Sequence, residues 1–91
     1  MQEKCAGISI KGRVQGVGFR YQTENAAKKF GIKGFVKNMP DGSVYIEACG
    51  QTRNIELFLD WCKKGPLLAN VTKVHSNEIS FKNYDGFNIR Y

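Results

Sequence analysis

The feature that most constrains this chain is the way its apolar periodicity switches between two and about 3.6 residues along a single stretch of 91 residues. From Cys5 to Lys11 it alternates: Ala6, Ile8 and Ile10 share one face, and Cys5, Gly7, Ser9 and Lys11 the other. This predicts a half-buried strand. A glycine-bearing loop, Gly12 to Gly18, follows. Helical spacing then begins at Phe19, with Thr23, Ala26, Ala27 and Phe30 on the same stripe and Gly31 as the stop.

Period two returns from Lys33 to Asn38 and again from Ser43 to Gly50, where Val44, Ile46 and Ala48 face inward. Met39-Pro40-Asp41-Gly42 between them is turn chemistry, so these two strands form a hairpin. Ile55, Phe58, Leu59 and Cys62 mark a second amphipathic helix that ends before Gly65-Pro66. Asn70 to Ile79 predicts a fourth strand, with a pattern broken around Val71 and Val74 that suggests a bulge. Phe87, Ile89 and Tyr91 give a short last strand.

The expected order is βαββαβ plus a terminal strand, in one domain over residues 1–91. Right-handed crossovers place both helices on one face of an antiparallel sheet. The expected fold class is therefore α+β, a ferredoxin-like sandwich of strand order 4-1-3-2, with the C-terminal strand extending an edge. No apolar run approaches a membrane span, and the N-terminus shows no secretory segment, so a cytoplasmic monomer is the expectation.

The loop between the first strand and first helix carries the strongest chemical signal. Its glycines let the backbone turn tightly, so that successive N–H groups can converge on an anion beside the helix N-terminus. Arg20 breaks a local rule. A cation in the first helical turn is unfavourably placed against the helix dipole, and a bound phosphate would remove the conflict. Its planar fork suits phosphate oxygens. Read alone, the loop is equally consistent with a solvated arginine beside an ordinary turn, and it lacks the Gly-Lys-Ser/Thr ending of a P-loop. Asn38, just before the turn, read alone is an asparagine bonding its own backbone. The net charge of +6 is compatible with an anionic ligand, but the lysines are scattered and single out no partner.

The two segments together resemble a known family. Ile10-Lys11-Gly12-Arg13-Val14-Gln15-Gly16-Val17-Gly18-Phe19-Arg20 is similar to the first signature of the acylphosphatases. Gly34-Phe35-Val36-Lys37-Asn38, then Gly42-Ser43-Val44 and Gly50, is similar to the second. Gly65-Pro66 and the closing Phe87-Asn88-Ile89-Arg90-Tyr91 also resemble that family, so the likeness covers essentially the whole chain. It implies an enzyme that hydrolyses acyl phosphates to a carboxylate and inorganic phosphate, with no cofactor and no metal. It also implies a phosphate cradle from Val14, Gln15, Gly16, Val17, Gly18 and Phe19, a clamp in Arg20, and a water-positioning amide in Asn38.

Other residues invite different chemistry. The three cysteines include no Cys-x-x-Cys pair, and the single histidine, His75, has no local ligand neighbour. Cys62 falls on an apolar helical stripe and is expected in the core. A register that pairs Ile8 with Ile46 and Ile10 with Val44 sets Cys5 opposite Cys49 on the face away from the helices, within disulfide reach. In a reducing compartment free thiols are the default for such a pair. The rival function is RNA binding by a ferredoxin-like module. Lys33-Gly34-Phe35 begins like an RNA-recognition strand, but the further aromatics are missing and Tyr45 alone is a poor stacking platform. No nucleic-acid or membrane partner is expected. Acylphosphatase-like domains also occur inside larger carbamoyl-transfer proteins, but a chain of this length favours the free-standing enzyme.

Overall fold

The computed structural model describes residues 2–91. The elements run β1 (Glu3–Arg13), α1 (Phe19–Lys29), β2 (Lys33–Asn38), β3 (Val44–Gln51), α2 (Thr52–Lys64), β4 (Asn70–Ile79) and β5 (Phe87–Arg90). They form one sheet of order β4-β1-β3-β2-β5. The β1–β3 register pairs Ile8 with Ile46, Ile10 with Val44 and Cys5 with Cys49, as the apolar alternation requires. Between Lys11 and Gly12 the β1–β4 register shifts, from a Lys11–Lys73 pair to a Gly12–Val71 pair. Thr72 is the extra residue, and this bulge is the break seen in the β4 pattern.

One expectation needs correction. The sheet is mixed rather than wholly antiparallel, because β5 runs parallel to β2, with Gly34 beside Phe87 and Lys37 beside Arg90. The chain reaches that edge by crossing the helix-free face between Ile79 and Phe87. Parallel neighbours need such a crossover, and a crossover that forms no helix leaves no periodicity to read. Four residues of β5 then carry its C-terminal end to the end of the sheet where β2 finishes.

The core lies between the sheet and the helices. Ile8, Ile10, Val36, Val44 and Ile46 meet Phe19, Ala27, Ile55, Phe58 and Cys62. Fully burying a side chain of this size stabilises by about 1.5–3 kcal/mol. Phe58 is the pivot: its ring stacks on Trp61 at 6.2 Å and meets Phe87 edge-on at 6.1 Å, joining α2 to β5. Phe30 and Leu59, placed on the apolar stripes by their spacing, are only half-buried and pack at the margin. Gly34 is required by close approach, since a Cβ there would collide with the Glu47 carbonyl of β3.

The helix-free face is less open than its alternation suggests. Lys82 donates its backbone N–H to Cys5 Sγ at 3.2 Å, so the crossover covers one end of that face. Beneath it, Glu47 accepts hydrogen bonds from the Tyr45 hydroxyl (2.9 Å), the Tyr84 hydroxyl and Lys82 Nζ (3.0 Å). Burial opposes ionisation of Glu47, but bonds from Tyr84, Lys82 and Tyr45 outweigh it and hold the carboxyl below its ordinary value. Among the described residues, no helix is long and apolar enough to cross a membrane.

Candidate active site

The site is built where four chain segments end together. β1 finishes at Arg13, β2 at Asn38 and β5 at Arg90, while α1 begins at Phe19. A cavity of about 230 Å³ opens between them, lined by Val14, Gly16, Gly18, Phe19, Arg20, Tyr21, Asn38, Ile89 and Tyr91. Arg20 and Asn38, 18 positions apart in sequence, thus face one volume.

The loop is anchored at both ends by fully buried side chains, Val14 and Phe19. Between them Gly16 and Gly18 adopt φ of 74° and 76°, a left-handed conformation that ordinary side chains rarely take. Gly18 is also the N-cap of α1 and supplies no side-chain cap. Among the described residues, none of the backbone N–H groups from Gln15 to Phe19 donates to a protein acceptor. The first turn of α1 contains no acidic residue. Gly16, Gly18 and Phe19 with their unpaired amides, the positive end of a helix and Arg20 therefore border the same space, which suits a phosphoryl group. The Arg20 guanidinium carbon lies 4.8 Å from the centre of the Tyr91 ring, a cation–π contact that restrains it at the rim.

Asn38 also lines the cavity. Its Oδ1 is buried and, among the described residues, has no hydrogen-bond partner. A buried unpaired carbonyl oxygen of this kind is uncommon and costs about 1–3 kcal/mol unless something donates to it. This is not the behaviour of an asparagine that serves its own turn. The turn is closed instead by Asp41, whose Oδ1 accepts from Ser43 N (2.9 Å) and Ser43 Oγ (2.6 Å). Those bonds hold the Asp41 carboxyl below its ordinary value.

Of the loop residues singled out from sequence, Val14, Gly16, Gly18, Phe19 and Arg20 line the cavity, whereas Gln15 and Val17 do not. The Gln15 side chain turns away to the β2–β3 turn. Tyr21, Ile89 and Tyr91 line the cavity without having been expected there. Tyr21 had a readable signal, since it directly follows Arg20 at the start of a helix. Ile89 and Tyr91 had none, because their position depends on β5 pairing parallel to β2.

The cysteines are accounted for elsewhere. Cys5 and Cys49 are joined by a disulfide. Cys62 is fully buried, and burial pushes its thiol pKa up, away from a nucleophilic thiolate. Among the described residues, no three His, Cys, Asp or Glu side chains are grouped to hold a metal ion. Tyr45, the one candidate stacking residue for RNA, is tied to Glu47 and packs 6.0 Å from the Phe35 ring. Its hydroxyl pKa is pushed up to about 12 by burial and by the bond to Glu47.

Known proteins share this fold. The acylphosphatase family model matches residues 6–89. An acylphosphatase of Archaeoglobus fulgidus is 48% identical over 84 residues, covering 92% of this chain and 94% of that protein. The structure of an acylphosphatase from Coxiella burnetii superposes with a TM-score of 0.94 at 35% identity, covering 97% of this chain and 93% of that one. Full-length HypF, in a phosphate- and nucleotide-bound form, contains a segment that superposes with a TM-score of 0.89, covering 99% of this chain and 12% of that one. RNA binding is not favoured by these relationships. The chain belongs to the acylphosphatase family, enzymes that hydrolyse acyl phosphates, and both its fold and its activity follow from that membership.

Proposed function

We propose that the cavity at the start of α1 binds the phosphoryl end of an acyl phosphate and that Arg20 and Asn38 carry the hydrolysis. The observation that carries this reading is that Asn38, whose buried Oδ1 has no partner among the described residues, lines the same cavity as Arg20 and the glycine loop.

The chemistry asks little of the protein. The transition state of phosphoryl transfer is loose, with charge on the equatorial oxygens, so positioning and charge stabilisation dominate. The amides of the Gly16–Phe19 loop and the Arg20 guanidinium donate to those oxygens. The Asn38 side-chain amide orients a water molecule so that an oxygen lone pair is directed at phosphorus. The new bond joins water oxygen to phosphorus. The bond to the acyl oxygen breaks, and its electron pair leaves with the carboxylate. A phosphoryl oxygen accepts the water proton, so no side-chain base is needed. The proposed enzyme is a monomer, and its net charge of +6 draws anionic substrates to the site. A cytoplasmic enzyme acting on small acyl phosphates is the setting that fits this chemistry.

The test is benzoyl phosphate hydrolysis in EDTA by the wild type, Arg20→Ala and Asn38→Ala, with circular dichroism as the fold control. Turnover by the wild type persists in EDTA and falls roughly 100- to 1000-fold in each variant. Wild-type turnover in either folded variant overturns the role assigned to that residue.

A further inference from the structure

Among the described residues, Gln15 is the one member of the loop whose side chain hydrogen-bonds to another segment. Its Nε2 donates to the carbonyl of Met39 at 2.9 Å and to the carbonyl of Ser43 at 2.9 Å. Both partners are carbonyl oxygens, so only the NH₂ end of the amide fits between them. Each carbonyl already accepts one backbone bond from within the turn. Gly42 N donates to Met39 O at 3.1 Å, and Met39 N donates to Ser43 O at 2.8 Å. Gln15 therefore fills the second lone pair of each oxygen. The turn closes without it; what Gln15 adds is a tie to another segment.

Among the described residues, no other hydrogen bond joins the loop at residues 14–18 to the turn at residues 39–43. The loop itself has little stiffness, because Gly16 and Gly18 interrupt it. The turn begins directly after Asn38. One side chain, itself outside the cavity, thus ties the glycine loop on one side of it to the turn that follows Asn38.

We propose that Gln15 is a positioning residue that fixes the separation between the phosphate cradle and Asn38, and so sets the line of water attack. The inference rests on the water-positioning role of Asn38 proposed above. It predicts a division of labour. The cradle holds ground-state phosphate whether or not the tie exists, because Val14 and Phe19 anchor it. Attack is what needs the tie, since a misplacement of about 1 Å in a reacting pair can cost roughly 100-fold.

The variant to make is Gln15→Met, which keeps the length and removes both donors, compared in a cycle with Asn38→Ala and the double variant. The expected result is a loss of roughly 10- to 100-fold in kcat for benzoyl phosphate. The inhibition constant for inorganic phosphate stays within about threefold of wild type, and Gln15→Met costs less than about threefold more when Asn38 is already alanine. A merely structural Gln15 lowers the thermal midpoint without this kcat–phosphate split. Wild-type kcat in Gln15→Met overturns the inference, as does a loss of equal size on the Asn38→Ala background or one confined to phosphate affinity. Unimpaired turnover in Asn38→Ala alone sinks the reading beneath it, a result distinct from a silent Gln15→Met.

Discussion

Cys5 on β1 and Cys49 on β3 stand directly opposite each other, their Cα atoms 4.0 Å apart, and are joined by a disulfide across the sheet. The pair lies where β1 begins, and the glycine loop lies where β1 ends. Their sequence separation is 44 residues. In the chain-entropy description, closing a loop of this size restricts the unfolded chain by about 4 kcal/mol at 25 °C. Reduction with dithiothreitol therefore lowers the calorimetric Tm substantially while leaving kcat at 25 °C near its starting value. Thiol titration under denaturing conditions confirms reduction by a rise from one free thiol to three. An unchanged Tm after complete reduction would show that the bridge contributes no stability.

The Glu47 network makes a second, pH-dependent contribution. Its folded carboxyl titrates below its ordinary value of 4.5. A depressed folded pKa means that the unfolded state binds protons first as the solution is acidified. The stability from Glu47 is complete above the ordinary value and disappears as pH falls through the folded value. Glu47→Gln should therefore cost about 1–3 kcal/mol near neutrality, by weakening bonds to a buried charged acceptor. In strong acid the cost should shrink. Urea midpoints for both proteins from pH 7 to pH 2.5 test this; a difference independent of pH would contradict it.

The fold was legible where periodicity is strong. Pairing Ile8 with Ile46 and Ile10 with Val44 keeps the apolar faces together, and that register brings Cys5 to Cys49, as the structure has it. The irregular crossover after Ile79 was not legible. No repeat predicts that Lys82 covers Cys5, that Tyr84 reaches Glu47, or that β5 pairs in parallel. The site divided in the same way. Glycine spacing marked the loop, and a cation at a helix N-terminus marked Arg20. Asn38 was ambiguous from the residues because turn asparagines are common. The role proposed for it draws its structural support from the orphaned Oδ1, a property of three-dimensional packing. Gln15 was grouped with the cradle for its backbone amide, and that its side chain reaches a turn 24 residues away shows only in the structure.

Two glycines separate catalysis from folding. A Cβ at Gly18 meets nothing within 4 Å, so Gly18→Ala suffers only from its φ of 76°. Left-handed backbone costs an alanine about 1–2 kcal/mol, a loss the domain survives. The same change biases the loop away from the geometry that presents its amides. Each charge-assisted hydrogen bond lost is worth about 1.5–3 kcal/mol, so phosphate inhibition should weaken roughly 10- to 100-fold. At Gly34, φ is 143° and a Cβ would enter the Glu47 carbonyl, between strands that have no room to separate. Gly34→Ala should therefore fail at folding, with lost expression or a collapsed Tm rather than altered kinetics. Gly18→Ala should give a folded, well-expressed and weakly active enzyme. Unaltered phosphate inhibition in Gly18→Ala would mean that the loop amides do not bind the phosphoryl group, leaving Arg20 alone to hold it.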